Sequence, residues 1–276
     1  FIYRLGGIVK LTPKLIVSFL VLALAPLFIF AVISIMNANS GLKTLATQQL
    51  ESIRDSKKAS VERYFENVSS QVVTLDDTQV ILQAMFYLPA QVNAYQTLAD
   101  QADLQSIKQD LEKKYQTLAS TKSIGQNYID ALDPIALMMQ NDYVTHNPNK
   151  EDAFWKLNKG KSKSAYHAIH ASMQPVIHKF IENAKFNELY LIDTQTDRVL
   201  YSVNKRSDFG IPLSVEEFSG SGLNKVYQKA KSLKLGQTAY SDFSRFLPAG
   251  NSPQSFMAAP VVFEGKTLGI LAVQIG

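Results

Sequence analysis

From Leu15 to Met36 the chain is apolar with no charged position, and only Ser18, Pro26 and Ser34 interrupt the run. At ~1.5 Å per residue it extends about 33 Å, enough for a hydrocarbon core of ~30 Å, so the pattern predicts a membrane-spanning helix. A cleavable leader has a shorter apolar stretch, ~7–15 residues, followed by a small-residue cleavage site. No clear site of that kind follows Met36. One proline inside such a helix is tolerated. After the span the pattern becomes periodic. Leu42, Ala46, Leu50, Ile53, Val61, Tyr64, Val68, Val72 and Leu75 recur at steps of three and four, with Lys57 in the vacant position of the stripe. This predicts a long amphipathic helix from Asn37 to about Leu88 that Pro89 ends or kinks. Its narrow stripe is either a seam between two copies or the side packed on its own domain.

Further helical stripes follow, one through Leu98, Leu104, Ile107, Leu111, Tyr115 and Leu118, another through Ile124, Tyr128, Ile129 and Leu132. Asn141–Lys163 is polar and punctuated by Asn147-Pro148 and Gly160, so it reads as a long loop or partly helical crossing. Ala165–Ala184 is helical again, with Pro175 as a kink or helix start. After Phe186 the period changes to two. Glu188–Asp193 and Arg198–Val203 read as strands, Gly222–Leu233 as a short helix, and Gln237–Phe243, Ser255–Val262 and Thr267–Ile275 as three more strands. Phe263–Lys266 carries a hairpin signal. The expected fold is α+β: a five-stranded antiparallel sheet with helices on one face. The expected divisions are a flank over 1–14, a membrane helix over 15–36, a stalk and helical part over 37–185 and a sheet module over 186–276.

Charge adds an orientation. Arg4, Lys10 and Lys14 precede the span, whereas Lys43 is the one cation between Asn37 and Glu51. The N-terminus is therefore expected on the cytoplasmic side and the rest outside. With 46% hydrophobic and 19% charged residues the chain is not mainly disordered, and a net charge of +4 does not call for a nucleic-acid partner. The absence of cysteine removes disulfides, thiolate metal sites and cysteine nucleophiles. The chain begins with Phe1 and stops at Gly276 directly after an apolar strand-like run, which reads as a piece of a longer protein.

Few constellations suggest chemistry. His167 and His170 stand three apart on a helical pattern, yet no H-E-x-x-H accompanies them, and surface or capping roles fit better. Gly220-Ser221-Gly222 lacks the lysine and spacing of a phosphate loop. The basic run Lys156–Lys163 reads as a solvated loop. Asp193, Asp208 and Asp242 fall near strand ends, where aspartate commonly serves turn chemistry. Aromatic residues on adjacent strands accompany them. Tyr190, Tyr201, Asp208, Tyr240, Asp242 and Phe256 are therefore the candidate ligand-binding residues, the rings to stack and the carboxylates to fix a donor or cation. Core packing is the competing reading. No nucleophile, metal or phosphate motif argues for an enzyme, and no cofactor is called for.

Ser56–Met85, Asn147-Pro148, Tyr166 and His170, Leu189–Asp193, Val199–Val203, Asp208-Phe209, Ala259–Val261 and Gly269–Gln274 together resemble, in order and spacing, the extracytoplasmic sensor region of bacterial methyl-accepting chemotaxis proteins. Similar regions front membrane-bound histidine kinases and cyclases. The resemblance implies a Cache-type, PAS-like sheet with a ligand pocket on a long helix rising from the bacterial inner membrane into the periplasm. It implies no amino-acid ligand, because the residue set that marks amino-acid-binding members has no counterpart here. Met173-Gln174-Pro175 stands where the family often has Tyr-His-Pro. The expected function is ligand sensing and signalling across the membrane, with a small molecule, the membrane and a second copy along the long helix as partners. The alternative is a membrane-anchored docking module without a small-molecule ligand.

Overall fold

The computed structural model of the protein describes residues 11–121 and 124–275. Arg4 and Lys10, half of the orientation argument, lie outside them. The chain forms two compact units, residues 1–64 and 65–276.

The first unit is the greater part of α1 (Leu11–Asp76), which runs through Pro26. From Leu15 to Met36 its apolar side chains face outward, with Phe19, Phe28 and Phe30 all about 70% exposed. The helix is long and apolar enough to cross a membrane and fits a single-pass membrane protein. Beyond the span, Leu42, Leu50, Ile53 and Val61 remain more than half exposed.

The second unit opens with the end of α1, where Val68, Val72 and Leu75 are buried. The helix ends at Asp76, not near Leu88, because Thr78 takes an extended backbone and its N–H turns back to the Leu75 carbonyl. α2 (Gln79–Asn93) then runs through Pro89. It is followed by α3 (Tyr95–Ala99), α4 (Leu104–Thr117), α5 (Gln126–Asp130) and α6 (Pro134–Gln140). Asp103 and Asp133 cap α4 and α6 by accepting the backbone N–H of Ser106 and Ala136. The expected loop over 141–163 holds a π turn, Asn141–Thr145, and a 3₁₀ helix, Glu151–Lys156. α7 (Tyr166–Ala184) carries Pro175 inside it and ends on Lys185 in the left-handed region.

Five antiparallel strands follow: β1 (Glu188–Ile192), β2 (Val199–Ser202), β3 (Ala239–Phe246), β4 (Ser252–Phe263) and β5 (Lys266–Ile275), with the short helices α8 (Glu216–Ser219) and α9 (Gly222–Ala230) between β2 and β3. Their order is β2-β1-β5-β4-β3. The sequence expectation of helices on one face needs correction, because both faces are covered. Leu189, Leu191, Met257, Ala259, Leu271 and Val273 pack with α2 and α7, while Tyr190, Ile192, Phe256, Ala258, Ile270 and Ala272 pack with α4, α5, α6 and α9. This explains why β1, β2 and most of β4 and β5 are buried at consecutive positions.

Candidate functional site

The strand register separates the candidate residues. Tyr190 pairs with Ala272, which pairs with Ala258, so two small side chains flank the tyrosine ring in one row across the sheet. The next row on that face is Glu188, Gln274, Phe256 and Ser241. Tyr190 and Phe256 therefore meet, with ring centroids 6.3 Å apart. Asp208 joins them from the loop after β2. Tyr201 pairs with Leu191 and lies across the sheet, where its hydroxyl donates to Gln174 Oε1 at 2.6 Å. Tyr240 pairs with Met257, is mainly exposed, and leans on Phe65 of α1. Asp242 falls in the register shift between Ser241 and Ser244, exposed, accepting the Phe243 backbone N–H. Three of the six candidates converge and three do not, because the β3 irregularity and the two-residue period send the others elsewhere.

Asp208 is the unusual member. It is fully buried and neither carboxyl oxygen has a hydrogen-bond partner. Burial, followed by the nearby Glu188 charge, pushes its pKa up to about 7. The Tyr190 hydroxyl is near enough to ease that rise, although its hydrogen bond goes to Gln274 Oε1 at 3.3 Å. Arg206 eases it too. Tyr115 and Tyr128 close the space from α4 and α5, and burial raises both phenols, with the Asp208 charge adding to it. Glu188, fully buried, is also raised by burial, and it accepts the backbone N–H groups of Leu189, Val203 and Asn204.

An open cleft of about 780 Å³ lies at the end of the sheet beside this cluster. It is lined by Gln254 and Gln274 of the sheet, by Asn187 and Arg206 next to it, and by Pro248–Gly250. Ala119-Ser120 and Lys150–Asp152 complete the lining. The Glu151 carboxylate joins these two segments, accepting the Ala119 N–H at 2.7 Å and the Ser120 N–H at 3.0 Å. Gln274 Nε2 donates to Gln254 Oε1 at 2.7 Å, so a chain of hydrogen bonds runs from the cleft wall through Gln274 to Tyr190 beside Asp208. Glu151→Ala leaves two N–H groups without their charged acceptor, an expected loss of about 1 kcal/mol. Hydrogen exchange at Ala119 and Ser120 should rise well above exchange in the sheet; unchanged protection there would count against the clamp.

The sequence singled out Tyr190, Asp208 and Phe256 but passed over Glu188, Arg206, Gln254 and Gln274. Two of these left a signal: Glu188 and Gln274 are polar side chains at inward positions of apolar strands, where a polar group needs a partner. Asp193 is turn chemistry, accepting the N–H groups of Gln195 and Thr196. His167 and His170 are buried, not on the surface. His167 Nδ1 accepts the Gly160 N–H at 3.2 Å, and His170 Nδ1 lies 2.8 Å from the Asn158 carbonyl, which fixes a proton on that nitrogen. Asp142 accepts the N–H groups of Lys161 and Ser162, so the three side chains fasten the loop whose lysines face solvent.

No protein-family model and no curated protein sequence matches the chain. Among solved structures it is similar to the ligand-binding domain of the Pseudomonas fluorescens chemoreceptor CtaA in complex with L-serine, at 14% identity and a TM-score of 0.27, covering 38% of this chain and 41% of that one. It is also similar to the sensor domain of the V. cholerae histidine kinase DctB, at 15% identity and a TM-score of 0.27, covering 66% of this chain and 57% of that one. The chain thus spans about two fifths of the first and less than three fifths of the second.

Proposed function

We propose that this chain is the extracytoplasmic sensing region of a single-pass bacterial signal transducer, that a small molecule binds in the cleft at the end of the sheet, and that α1 carries the response toward the cytoplasm. The observation that supports it most is a cleft wall hydrogen-bonded through Gln274 to Tyr190, beside a buried carboxyl without a partner of its own. A packed core has no use for such a group, since an unpaired buried polar atom costs stability unless something else uses it. A ligand shifts a receptor only by its differential affinity for two states, and a cleft lined both by sheet residues and by segments far from them in sequence is a place where two states can differ. The cytoplasmic N-terminus and the periplasmic sheet follow from the flanking cations, and the sequence resemblance supports the same arrangement.

The test is a thermal-shift screen of the chain in detergent against amino acids, organic acids, amines and nucleobase compounds, read by the fluorescence of Trp155, the single tryptophan. A ligand at 100 times its Kd adds ~2.7 kcal/mol, a shift of several degrees. A hit lost in Gln274→Leu supports the cleft. A well-folded protein that answers to nothing would favour the docking module.

Two copies pairing along α1 complete the reading. The stripe is covered by its own domain from Val68 onward and bare at Leu42, Leu50, Ile53 and Val61. Because the chain has no cysteine, single introduced cysteines report cleanly. Ala46→Cys and Ile53→Cys should cross-link in membranes, whereas Asp55→Cys, on the far side of the helix, should not. Equal yields at all three positions would argue against a seam.

A further inference from the structure

Four residues of α7, His167, His170, Gln174 and His178, stand at steps of three, four and four and so share one face of the helix. Each holds a part of the segment 155–162. His178 stacks on the Trp155 ring with centroids 3.5 Å apart, and Gln174 Nε2 donates to the Trp155 carbonyl at 2.8 Å. His170 Nδ1 donates to the Asn158 carbonyl at 2.8 Å, and His167 Nδ1 accepts the Gly160 N–H at 3.2 Å. The segment is thus strapped along one helix face, and three of the protein's four histidines are its fasteners. The far end is held differently, by the buried Asp142 carboxylate, which accepts the N–H groups of Lys161 and Ser162. Gly160 permits the close approach, since a Cβ there would lie 2.6 Å from both Asp142 Cβ and His167 Cε1.

The three rings do not answer acid alike. His170 carries its proton on Nδ1, its Nε2 is buried without a partner, and burial first and Lys205 second keep it neutral. His178 has Glu182 at 3.6 Å to favour a charge, while burial and Lys205 oppose one. His167 is the sensitive member. An amide can only donate, so the Gly160 bond requires a bare Nδ1 and puts the proton of the neutral ring on Nε2, 3.2 Å from Ser162 Oγ and 3.4 Å from Asp142 Oδ2. A second proton has to go on Nδ1. The Tyr143 hydroxyl, 2.8 Å from that nitrogen, can rotate to accept it, whereas the Gly160 N–H cannot turn round and loses its acceptor. Tyr95 of α3 and the neighbouring Tyr166 also face the ring. Burial is the largest influence on His167 and lowers its pKa below the ordinary 6.5; Asp142 and the Ser162 backbone oppose it, and Lys159 adds to it.

We propose that the segment 155–162 is an acid-released strap: protonation of His167 detaches Gly160 from α7, the strap loosens back toward Trp155, and the cleft lining loosens with it, so that this region answers to acidity as an input separate from any ligand. The inference goes beyond the sensor reading and needs no ligand for its test. Its reach to the cleft is short. Trp155 shares the 3₁₀ helix Glu151–Lys156 with Glu151, whose carboxylate holds Ala119 and Ser120. The sign follows from proton counting. The fastened strap holds His167 neutral, and the loosened one lets it titrate as an ordinary histidine, so the hold is full above about pH 6.5 and weakens as the pH falls below that value. One linked proton weakens it by ~5–10-fold between pH 7.5 and 5.5.

The experiment is hydrogen exchange of the full chain in lipid nanodiscs at pH 7.5 and 5.5, read at single amides by fragmentation mass spectrometry and divided by the intrinsic rate at each pH. Protection of the Gly160 N–H should fall ~5–10-fold at the lower pH, and that of Ala119 and Ser120 should fall with it, while β4 and β5 stay protected. Trp155 fluorescence should change over the same range as the ring leaves His178. In His167→Asn the side-chain oxygen accepts in place of Nδ1 without titrating, so the Gly160 protection should be equal at the two pH values. His167→Gln is run alongside, and β4–β5 protection shows which variants are folded. Gly160→Ala, crowded against Asp142 and His167, should leave the strap open already at pH 7.5. Equal Gly160 protection at both pH values in the wild type would overturn the strap. A pH effect that persists in the folded His167 variants would overturn the role of His167, and a strap that opens while Ala119 and Ser120 stay protected would overturn its link to the cleft.

Discussion

Asp208→Asn is expected to raise the stability of the folded unit at pH 8, by an amount that shrinks as the pH is lowered. The carboxyl titrates at 3.8 as an ordinary exposed group and at about 7 in the fold. A rise of about three units corresponds to about 4 kcal/mol of differential interaction, which is a ceiling. The sign follows from proton counting. Between these two values the native state holds a proton that the unfolded chain has released, so stability falls as pH rises from 4 to 7 and is level above 7. Asparagine occupies nearly the same volume, carries no charge to bury, and can donate toward Tyr190. The gain should therefore be full at pH 8, on the order of 1–4 kcal/mol, and largely gone at pH 4. Trp155 fluorescence melts at the two pH values measure it; Asp76, whose pKa is also raised by burial, titrates in both proteins and cancels, whereas the Glu188 repulsion is one of the causes of the Asp208 rise and its removal is part of the gain. A variant less stable than wild type at pH 8 would mean that Asp208 has a partner in solution and that the buried-acid account of the site is wrong. A gain at pH 8 would mark the position as one where the protein gives up stability, as sites that await a ligand do.

That group shows where sequence reading succeeded and where it stopped. The long apolar N-terminal helix, the change of period after Phe186 and all five strands were legible because each is a local pattern of apolar positions. The end of α1 was not, since nothing in Asp76-Asp77-Thr78 looks like a break until Thr78 turns its N–H back to Leu75. Pro89 and Pro175 sit inside helices, so neither ends or starts one. The two-sided sheet was visible in hindsight in the near-continuous apolar runs of β4 and β5, which a sheet with one wet face would not need. As for the site, Asp208 and Tyr190 could be named from residue type, but Tyr201 was assigned to the same wall because its cross-strand partner was unknown. Its pairing with Leu191 rather than Tyr190 places it on the other face. Arg206 and Glu151 act through contacts with residues far along the chain, and no local pattern reports those.

Gly269→Ala is expected to be the most damaging of the small substitutions. A Cβ there would lie 1.9 Å from Met85 Cε and 2.7 Å from the Ile192 carbonyl oxygen. The two obstacles differ in kind. The Met85 methyl is the end of a flexible side chain and can swing aside, whereas the Ile192 carbonyl belongs to the β1 backbone, whose neighbours pair with β5. Relief therefore requires Met85 to swing aside and β1 to shift from β5, and overpacking of this sort costs about 1–3 kcal/mol. In a unit of this size that lowers the melting temperature by about 2–4 °C per kcal/mol. Gly265→Ala supplies the comparison. Gly265 lies in the β4–β5 turn at φ +76 with nothing within 4 Å, so its loss comes from backbone strain alone, about 1 kcal/mol. Met85→Ala separates the two contributions at Gly269. Alone it should cost 2–4 kcal/mol, because Met85 is almost fully buried. Combined with Gly269→Ala, the total should fall short of the sum of the single losses by 0.5 kcal/mol or more, since the cavity accepts the new methyl group. Strict additivity would mean that the Ile192 carbonyl carries the whole conflict. In either case the glycine is where α2 presses on the sheet through Met85, so a disturbance at this contact reaches the element that directly follows α1.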